Sequence, residues 1–496
     1  MTRDVTGPEI LDRLASHGDR VAVDAVDGTR TYAGLSADAD RAASALLEAP
    51  AGARDGRVVS MVRPSCAYVV TMLGTWRAGA VAVPVGTALP DPEIEYVLDD
   101  AAPAVAVADA AYARRLEPLA RERGIRFVHA DALGVHAPAP LPSVGDDRPS
   151  MMLYTSGTTG RPKGVVHTHA SIAAQIRGMV EAWEWTRDDH ILCTLPLHHT
   201  HGIVNALACA LWSGATCDVL PAFDADEVWR RIATGDLTLF MAVPTIYRRL
   251  VDAYDRADGA QQVAWARGAG TMRLMVSGSA ALPVSTLDRW REITGQTLLE
   301  RYGMTEIGMA LSNTLTDRRP GHVGVPMPGV DVRLVDDTGA LAAPGRPGEI
   351  HARGANVFRE YWNRPDATRD AFAGEWFRTG DVAVVEDGSH RILGRASVDI
   401  IKTGGEKISA LEVEDALREH PAIVDCAVVG VPDDEWGERV CAVVVATSPD
   451  DLGDLRAWAK ERIAPYKVPR ELVVVDELPR NAMGKVTKLA LVRLFG

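Results

Sequence analysis

The residues with the clearest capacity for chemistry stand in one dozen, Tyr154-Thr155-Ser156-Gly157-Thr158-Thr159-Gly160-Arg161-Pro162-Lys163-Gly164-Val165, directly after the apolar Met151-Met152-Leu153. Three glycines, four small hydroxyls and a lysine leave this run almost no apolar surface with which to build core. It is fit to wrap an anion. Glycines let main-chain N–H groups turn inward, hydroxyls add donors, and Arg161 and Lys163 bring positive charge to a polyphosphate. A Walker A loop is excluded, because Pro162 stands where that motif has its second glycine and Lys163 is followed by Gly164. The plain alternative is a flexible surface loop of the same composition.

Further chemistry-bearing groups follow along the chain. Leu195-Pro196-Leu197-His198-His199-Thr200-His201-Gly202 gathers three histidines, but no Cys, Asp or Glu stands at a zinc-like spacing beside them. Ordinary packed or solvent-facing histidines remain the other reading. Ser277-Gly278-Ser279-Ala280-Ala281-Leu282-Pro283 offers small residues on which a flat ring can lie, or merely a strand-to-helix turn. Glu300-Arg301-Tyr302-Gly303-Met304-Thr305-Glu306 adds an aromatic face and carboxylates. In Thr379-Gly380-Asp381, with Gly394-Arg395 later, a carboxylate suited to sugar hydroxyls precedes an arginine suited to phosphate oxygens. Two late lysine segments follow, Lys402-Thr403-Gly404-Gly405-Glu406-Lys407 and Asn481-Ala482-Met483-Gly484-Lys485-Val486, the second of which reads on residue type as solvated charge.

Something must hold these loops in place. At 496 residues the chain is long for one core, so at least two domains are expected. Short Val/Ala-rich runs at 21–26, 58–62, 81–83 and 105–107 alternate with helical patterns such as 38–47, which points to a layered α/β sheet with parallel pairing. The proline-rich stretch 134–149 reads as a surface loop that delivers the chain to the glycine-rich run. Alternation then resumes, with strands expected at 191–195, 216–220, 239–243 and 274–276 and helices at 228–233 and 284–293. Turn-punctuated strands at 330–335, 348–353 and 382–385 suggest a small β-rich subdomain. Beyond residue 394 a second, α+β unit is expected: Ser409 and Glu412 form a capping box for a helix ending before Pro421, followed by strands at 424–431, 440–446 and 472–475 and a helix near 455–463.

A net charge of −14 argues against nucleic-acid or anionic-membrane surfaces. Six cysteines (Cys66, Cys193, Cys209, Cys217, Cys426, Cys441) without C-x-x-C spacing suit reduced, buried thiols. With no apolar leader and no long apolar stretch, the expectation is a soluble cytoplasmic protein without membrane insertion.

Taken together and in order, from about residue 31 to 488, these segments resemble the adenylate-forming enzymes, the superfamily of acyl-CoA synthetases, luciferases and peptide-synthetase adenylation domains. The resemblance implies a large N-terminal domain (residues 1–394), a small mobile C-terminal domain (residues 395–496), and one site between them. It also implies the cofactors ATP, Mg²⁺ and coenzyme A, and a two-step reaction: a carboxylic acid becomes an acyl-adenylate, then a thiol displaces AMP.

By the same resemblance, Thr155, Ser156, Gly157, Thr158, Thr159, Gly160 and Lys163 hold the ATP phosphates. Ser279, Ala280, Glu300, Arg301, Tyr302, Gly303, Met304 and Thr305 line the nucleotide, with Thr305 at the α-phosphate. Glu306 and Thr155 attend the metal, and Asp381 takes the ribose with Arg395 beside it. The loop with Lys402, Gly404 and Gly405 admits the CoA arm, and Lys485 is the catalytic lysine. Ser397 stands where the family often has Asp or Lys at the hinge, a departure from its pattern.

Within the superfamily the closest wording is that of malonyl- and methylmalonyl-CoA synthetases. That likeness makes His199, His201, Arg249, Ser279 and Met304 the acyl-pocket candidates, with Arg249 paired to the distal carboxylate of the substrate. Arg248-Arg249 could equally be a solvated helix face. A short- or medium-chain monocarboxylate, or an acyl carrier protein as acceptor in place of CoA, are the other readings.

Overall fold

The computed structural model describes residues 8–48, 53–155, 161–403, 406–433, 435–480 and 486–495. Two large sheets carry the N-terminal part. In the seven-stranded one, Val81–Pro84, Arg57–Met61, Val105–Ala108 and Arg126–His129 run parallel, with Val59 opposite Val83 and Ala106. The three inner strands of this set are largely buried, which the near-continuous Val/Ala runs predict for parallel strands covered on both faces. On the other side of Val81–Pro84 the chain folds back: Pro149–Thr155 pairs antiparallel with Lys163–Thr168, and Thr155 stands opposite Lys163. The glycine-rich run therefore joins the two arms of a hairpin whose ladder is fixed up to its last pair.

The nine-stranded sheet runs Val325–Pro326, Gly308–Ser312, Leu299–Met304, Leu274–Ser277, Leu239–Ala242, His190–Cys193, Thr216–Val219, Val21–Ala25 and Gly28–Thr31. Its centre is parallel and it ends antiparallel at both edges. Strand ends and the turns after them deliver Ser277–Ser279 and Glu300–Glu306 to the same rim. Val21–Ala25 belongs here, with Val23 opposite Cys217, and not with the strands that follow it in sequence.

The helix Cys66–Arg77 is apolar nearly all round and almost wholly buried. Ser65 caps it by accepting from the Tyr68 amide. Helix Tyr32–Leu47 crosses it so closely that a β-carbon at Gly74 would fall 2.5 Å from that of Ala42. All six cysteines are buried and free. No helix among the described residues is long and apolar enough to cross a membrane.

A five-stranded antiparallel sheet forms the β-rich subdomain, with Val330–Val335, Gly348–Gly354 and Trp376–Glu386 as its spine and Phe372–Ala373 and Ser389–Arg395 on the last of these. Its final strand leads into the C-terminal unit through a turn that demands glycine. Gly394 has φ +125°, and a β-carbon there would meet Asp399 at 2.3 Å.

Beyond the turn, the hairpin Ile400–Thr403/Glu406–Ser409 precedes helix Ala410–Arg418. Ser409 caps that helix as expected, accepting from the Glu412 amide, but Glu412 gives its carboxylate to Lys467 instead of closing the box. Strands Ile423–Asp433 and Gly437–Ala446 pair antiparallel, and Glu471–Val474 adds parallel to the second. The expected helix near 455–463 is shorter, Leu455–Lys460. Apolar cores do not cross the turn: the clusters on one side stop at Ile392, and those on the other begin at Ile401.

Candidate active site

The hairpin arms set the first element of the site. Lys163, at the start of the outgoing arm, carries its ammonium 4.2 Å from the centroid of the Tyr361 ring. The Tyr361 hydroxyl donates to Glu306 Oε1 at 2.9 Å. Glu306 is only 6% exposed, and burial raises its pKa against the opposing pull of Tyr361, Arg395 and Lys163. A buried His167 steadies the same turn. A carbonyl can only accept, so Nε2–H of His167 donates to Thr305 O at 2.7 Å, and Nδ1 faces Ser171 Oγ at 3.2 Å. Burial lowers the pKa of this imidazole to about 4, which keeps it neutral in that role.

The second element is a carboxylate held from two sides. Asp381 and Arg395 are directly opposed across the antiparallel pair Trp376–Glu386/Ser389–Arg395. Arg395 Nε donates to Asp381 Oδ1 at 3.0 Å, and the Tyr302 hydroxyl donates to Oδ2 at 2.6 Å. Arg395 is steadied further by Thr379 O at 2.9 Å. Gly303, Met304 and Thr305 are partly exposed along the same rim.

The third element is a group of buried polar atoms that lack hydrogen-bond partners among the described residues. His201 begins a π-helical turn, His201–Ala208, and is 6% exposed. Its Nδ1 lies 3.3 Å from Ser279 Oγ, and its Nε2 has no hydrogen-bond partner among the described residues. Ser279 reaches it from a left-handed backbone, φ +70°, which is strained for a serine. Burial first, then Arg301 and His199, drives the pKa of His201 far down, so it is neutral.

Arg301 is 5% exposed and lies across Gly278, where a β-carbon would stand 2.5 Å from its guanidinium carbon. Its Nε and Nη2 have no hydrogen-bond partner among the described residues, nor has Ser277 Oγ. Burial lowers its pKa to about 10, so it remains a cation at neutral pH. A buried cation with open donors is costly unless an anion arrives.

Other candidates stand differently. Arg249 is exposed, 5.8 Å from the Phe223 ring, at a surface pocket shared with Asp224, Asp252 and Arg256. Glu300 is turned inward, its Oε1 accepting from the Gly321 amide at 2.7 Å, and burial raises its pKa to about 8. His199 stacks obliquely on His198 at 4.2 Å, and Ala280 is exposed at the rim. The Lys402 side chain is exposed, while its amide donates to Glu438. Ser156, Gly157, Thr158, Thr159, Gly160, Gly404, Gly405 and Lys485 lie outside the described residues. Tyr361 and His167 escaped sequence reasoning. The one available signal was that His167 lies in the outgoing arm itself, four residues beyond Lys163 and so on the same strand face.

A model of the AMP-binding enzyme family matches residues 11–362, and one of the AMP-binding enzyme C-terminal domain matches residues 412–485. The chain belongs to the AMP-binding enzyme family. Among its relatives, the mitochondrial malonate–CoA ligase of Homo sapiens is 45% identical over 528 residues, which cover 98% of this chain and 92% of that protein. The malonate–CoA ligase of Arabidopsis thaliana is 38% identical, over 95% and 86% of the two chains. Among solved structures, ATP-bound MatB from Rhodopseudomonas palustris superposes with a TM-score of 0.90 at 34% identity, over 99% of both chains. The AMP-binding fold, with its large N-terminal and small C-terminal domains, is thus the fold of this chain.

Proposed function

We propose that this member of the AMP-binding family is an AMP-forming acid–thiol ligase that converts malonate or methylmalonate into its CoA thioester through an acyl-adenylate. Buried Arg301, close enough to His201 to act on its charge and with Nε and Nη2 unpartnered among the described residues, carries the choice of substrate. A monocarboxylate would leave that charge uncompensated, whereas a dicarboxylate satisfies it with the carboxylate that does not react. The malonate–CoA ligases among the relatives, and a solved malonyl-CoA ligase complex with methylmalonyl-CoA and AMP at 37% identity and TM-score 0.70, support this reading.

In the proposed mechanism, Ser279 donates to His201 Nδ1, which leaves Nε2–H to donate to the distal carboxylate beside Arg301. Arg249, which the family likeness pairs with that carboxylate, is exposed on its helix beside Asp252, and the proposal gives the contact to Arg301 instead. The near carboxylate attacks the α-phosphorus of ATP. A carboxylate offers about four lone-pair sites. Tyr302 and Arg395 occupy one on each oxygen of Asp381, so one on each remains for the two ribose hydroxyls.

Thr155, Lys163 and the loop between them hold the phosphates, Thr305 approaches the α-phosphate, and Lys485 counters charge that develops there. Glu306 is a hard oxygen donor beside polyphosphate, as Mg²⁺ requires, and with Thr155 would hold the ion, which neutralises phosphate charge when bound. Among the described residues no cluster of three or more His, Cys, Asp or Glu could hold a metal unaided, in keeping with an ion that borrows most of its ligands from phosphate and water. The hairpin with Lys402, Gly404 and Gly405 receives the CoA arm.

The test is pyrophosphate release with ATP, Mg²⁺ and each of malonate, methylmalonate, acetate, butyrate and octanoate, followed by acylation of CoA or of a carrier protein. The expected outcome is malonate-type acids with CoA. Release with monocarboxylates only, or acylation of a carrier protein only, contradicts it. The cytoplasmic location expected from the sequence is part of the proposal. The human relative is named mitochondrial, so cell fractionation decides it.

A further inference from the structure

The last turns of helix Asp91–Ala101 hold both arms of the phosphate-loop hairpin, and no part of the proposed chemistry uses them. Tyr96 and Asp100 are four residues apart and share one face of that helix. Asp100 Oδ2 accepts from the Tyr154 hydroxyl, on the incoming arm, at 2.8 Å. The Tyr96 hydroxyl donates to Pro162 O, on the outgoing arm, at 2.7 Å. Pro162 lies one residue beyond the last ladder pair, Thr155–Lys163, so the ladder does not hold its carbonyl.

The Tyr96 ring also meets the Tyr154 ring edge-on at 6.2 Å and lies 5.6 Å from the Arg161 guanidinium. Asp100 Oδ1 takes Arg364 at 2.9 Å, and Trp362 Nε1 donates to Asp100 O at 3.0 Å. These two residues follow Tyr361, which holds Glu306. One helix end thus fixes the incoming arm, the outgoing arm and the support of Glu306 against one another.

We propose that Tyr96 and Asp100 are positioning residues for ATP: they set the spacing and tilt of the loop arms and so the affinity for the triphosphate, without touching it. The proposal rests on the reading that this loop binds the ATP phosphates. It goes further in assigning the loop's pre-organisation to a helix more than fifty residues upstream. Tyr96→Phe keeps the ring and removes one hydrogen bond. Losing one such bond weakens binding about fivefold.

The experiment is steady-state kinetics on the full chain, with equilibrium binding of ATP measured alongside. Expected for Tyr96→Phe and Tyr154→Phe is a rise of about fivefold in KM and Kd for ATP, with KM for malonate and for CoA unchanged. Thioester formation from supplied malonyl-adenylate should also stay unchanged. Because both act through one loop, the double variant should cost less than the product of the two. An unaltered Kd for ATP in Tyr96→Phe overturns the proposal while leaving the ligase reading intact. A parallel rise in all three KM values with a fallen Tm overturns it too, since that marks a purely structural role. Failure of the unsubstituted protein to bind ATP overturns both.

Discussion

The nucleotide side and the acyl side of this site are built on opposite plans. Asp381 is held by Tyr302 and Arg395, and Glu306 by Tyr361, so their geometry is set before any ligand arrives. Arg301 Nε and Nη2, His201 Nε2 and Ser277 Oγ are as deeply buried, yet have no hydrogen-bond partner among the described residues. A group that meets the same ligand in every turnover gains from being fixed in advance. A group that must tell one acid from another gains from a deficit that only the right acid removes. On the proposed function, pre-organisation serves catalysis on one side, and incompleteness serves selection on the other.

The comparison can be broken from the catalytic end first. Lys485→Ala is expected to reduce malonate-dependent pyrophosphate release by about 10³-fold or more, as loss of a charge aimed at developing phosphate charge should. Thioester formation from supplied malonyl-adenylate should survive, and loss of both half-reactions would contradict the role. Asp381→Ala comes next. It removes the ribose acceptor and unties Tyr302 and Arg395 together, so kcat/KM for ATP should fall by about 10²-fold. The ratio of malonate to butyrate turnover should not move. A changed ratio would mean that the two sides are not independent.

The smallest effect concerns stability. Burial raises the pKa of the Glu300 carboxyl from an ordinary 4.5 to about 8 in the folded chain. Between those values the folded state binds more protons than the unfolded one, so stability falls as pH rises through that window. Glu300→Gln can still accept from Gly321 and never ionises. It should flatten the decline and raise Tm by about 2–4 °C at pH 8, with little effect at pH 5. A variant melting curve that tracks the unsubstituted protein at both pH values would show that Glu300 is not the buried acid described.

Much of the nucleotide side could be read in advance because its motifs are local. Residue type left 277–279 open as a turn, and the resemblance gave 300–306 and the Asp381/Arg395 pair their tasks; the structure brings Tyr302, Asp381 and Arg395 into contact. What escaped depends on distant pairing. Val21–Ala25 reads as the first strand of a consecutive set, yet it joins Thr216–Val219, because the parallel ladder is formed across almost two hundred residues. Tyr361 and His167 look like core residues in sequence and gain meaning only when their strands bring them to Glu306 and Thr305.

The arginines show the same limit. The likeness to malonyl-CoA synthetases favoured Arg249, while Arg301 sat inside a nucleotide motif. Only burial separates an exposed guanidinium beside Asp252 from one with open donors under Gly278.

That distinction is also the most direct test. Pyrophosphate release with malonate and with butyrate is measured for Arg301→Met, with Arg249→Met alongside. Removing one partner of a buried ion pair is severe, so Arg301→Met should lower malonate kcat/KM by about 10²–10³-fold while butyrate turnover holds or improves. Arg249→Met, an exposed charge, should cost malonate less than about tenfold. If Arg301→Met lowers both acids equally, or spares malonate, the buried cation with its open donors is not what selects the substrate.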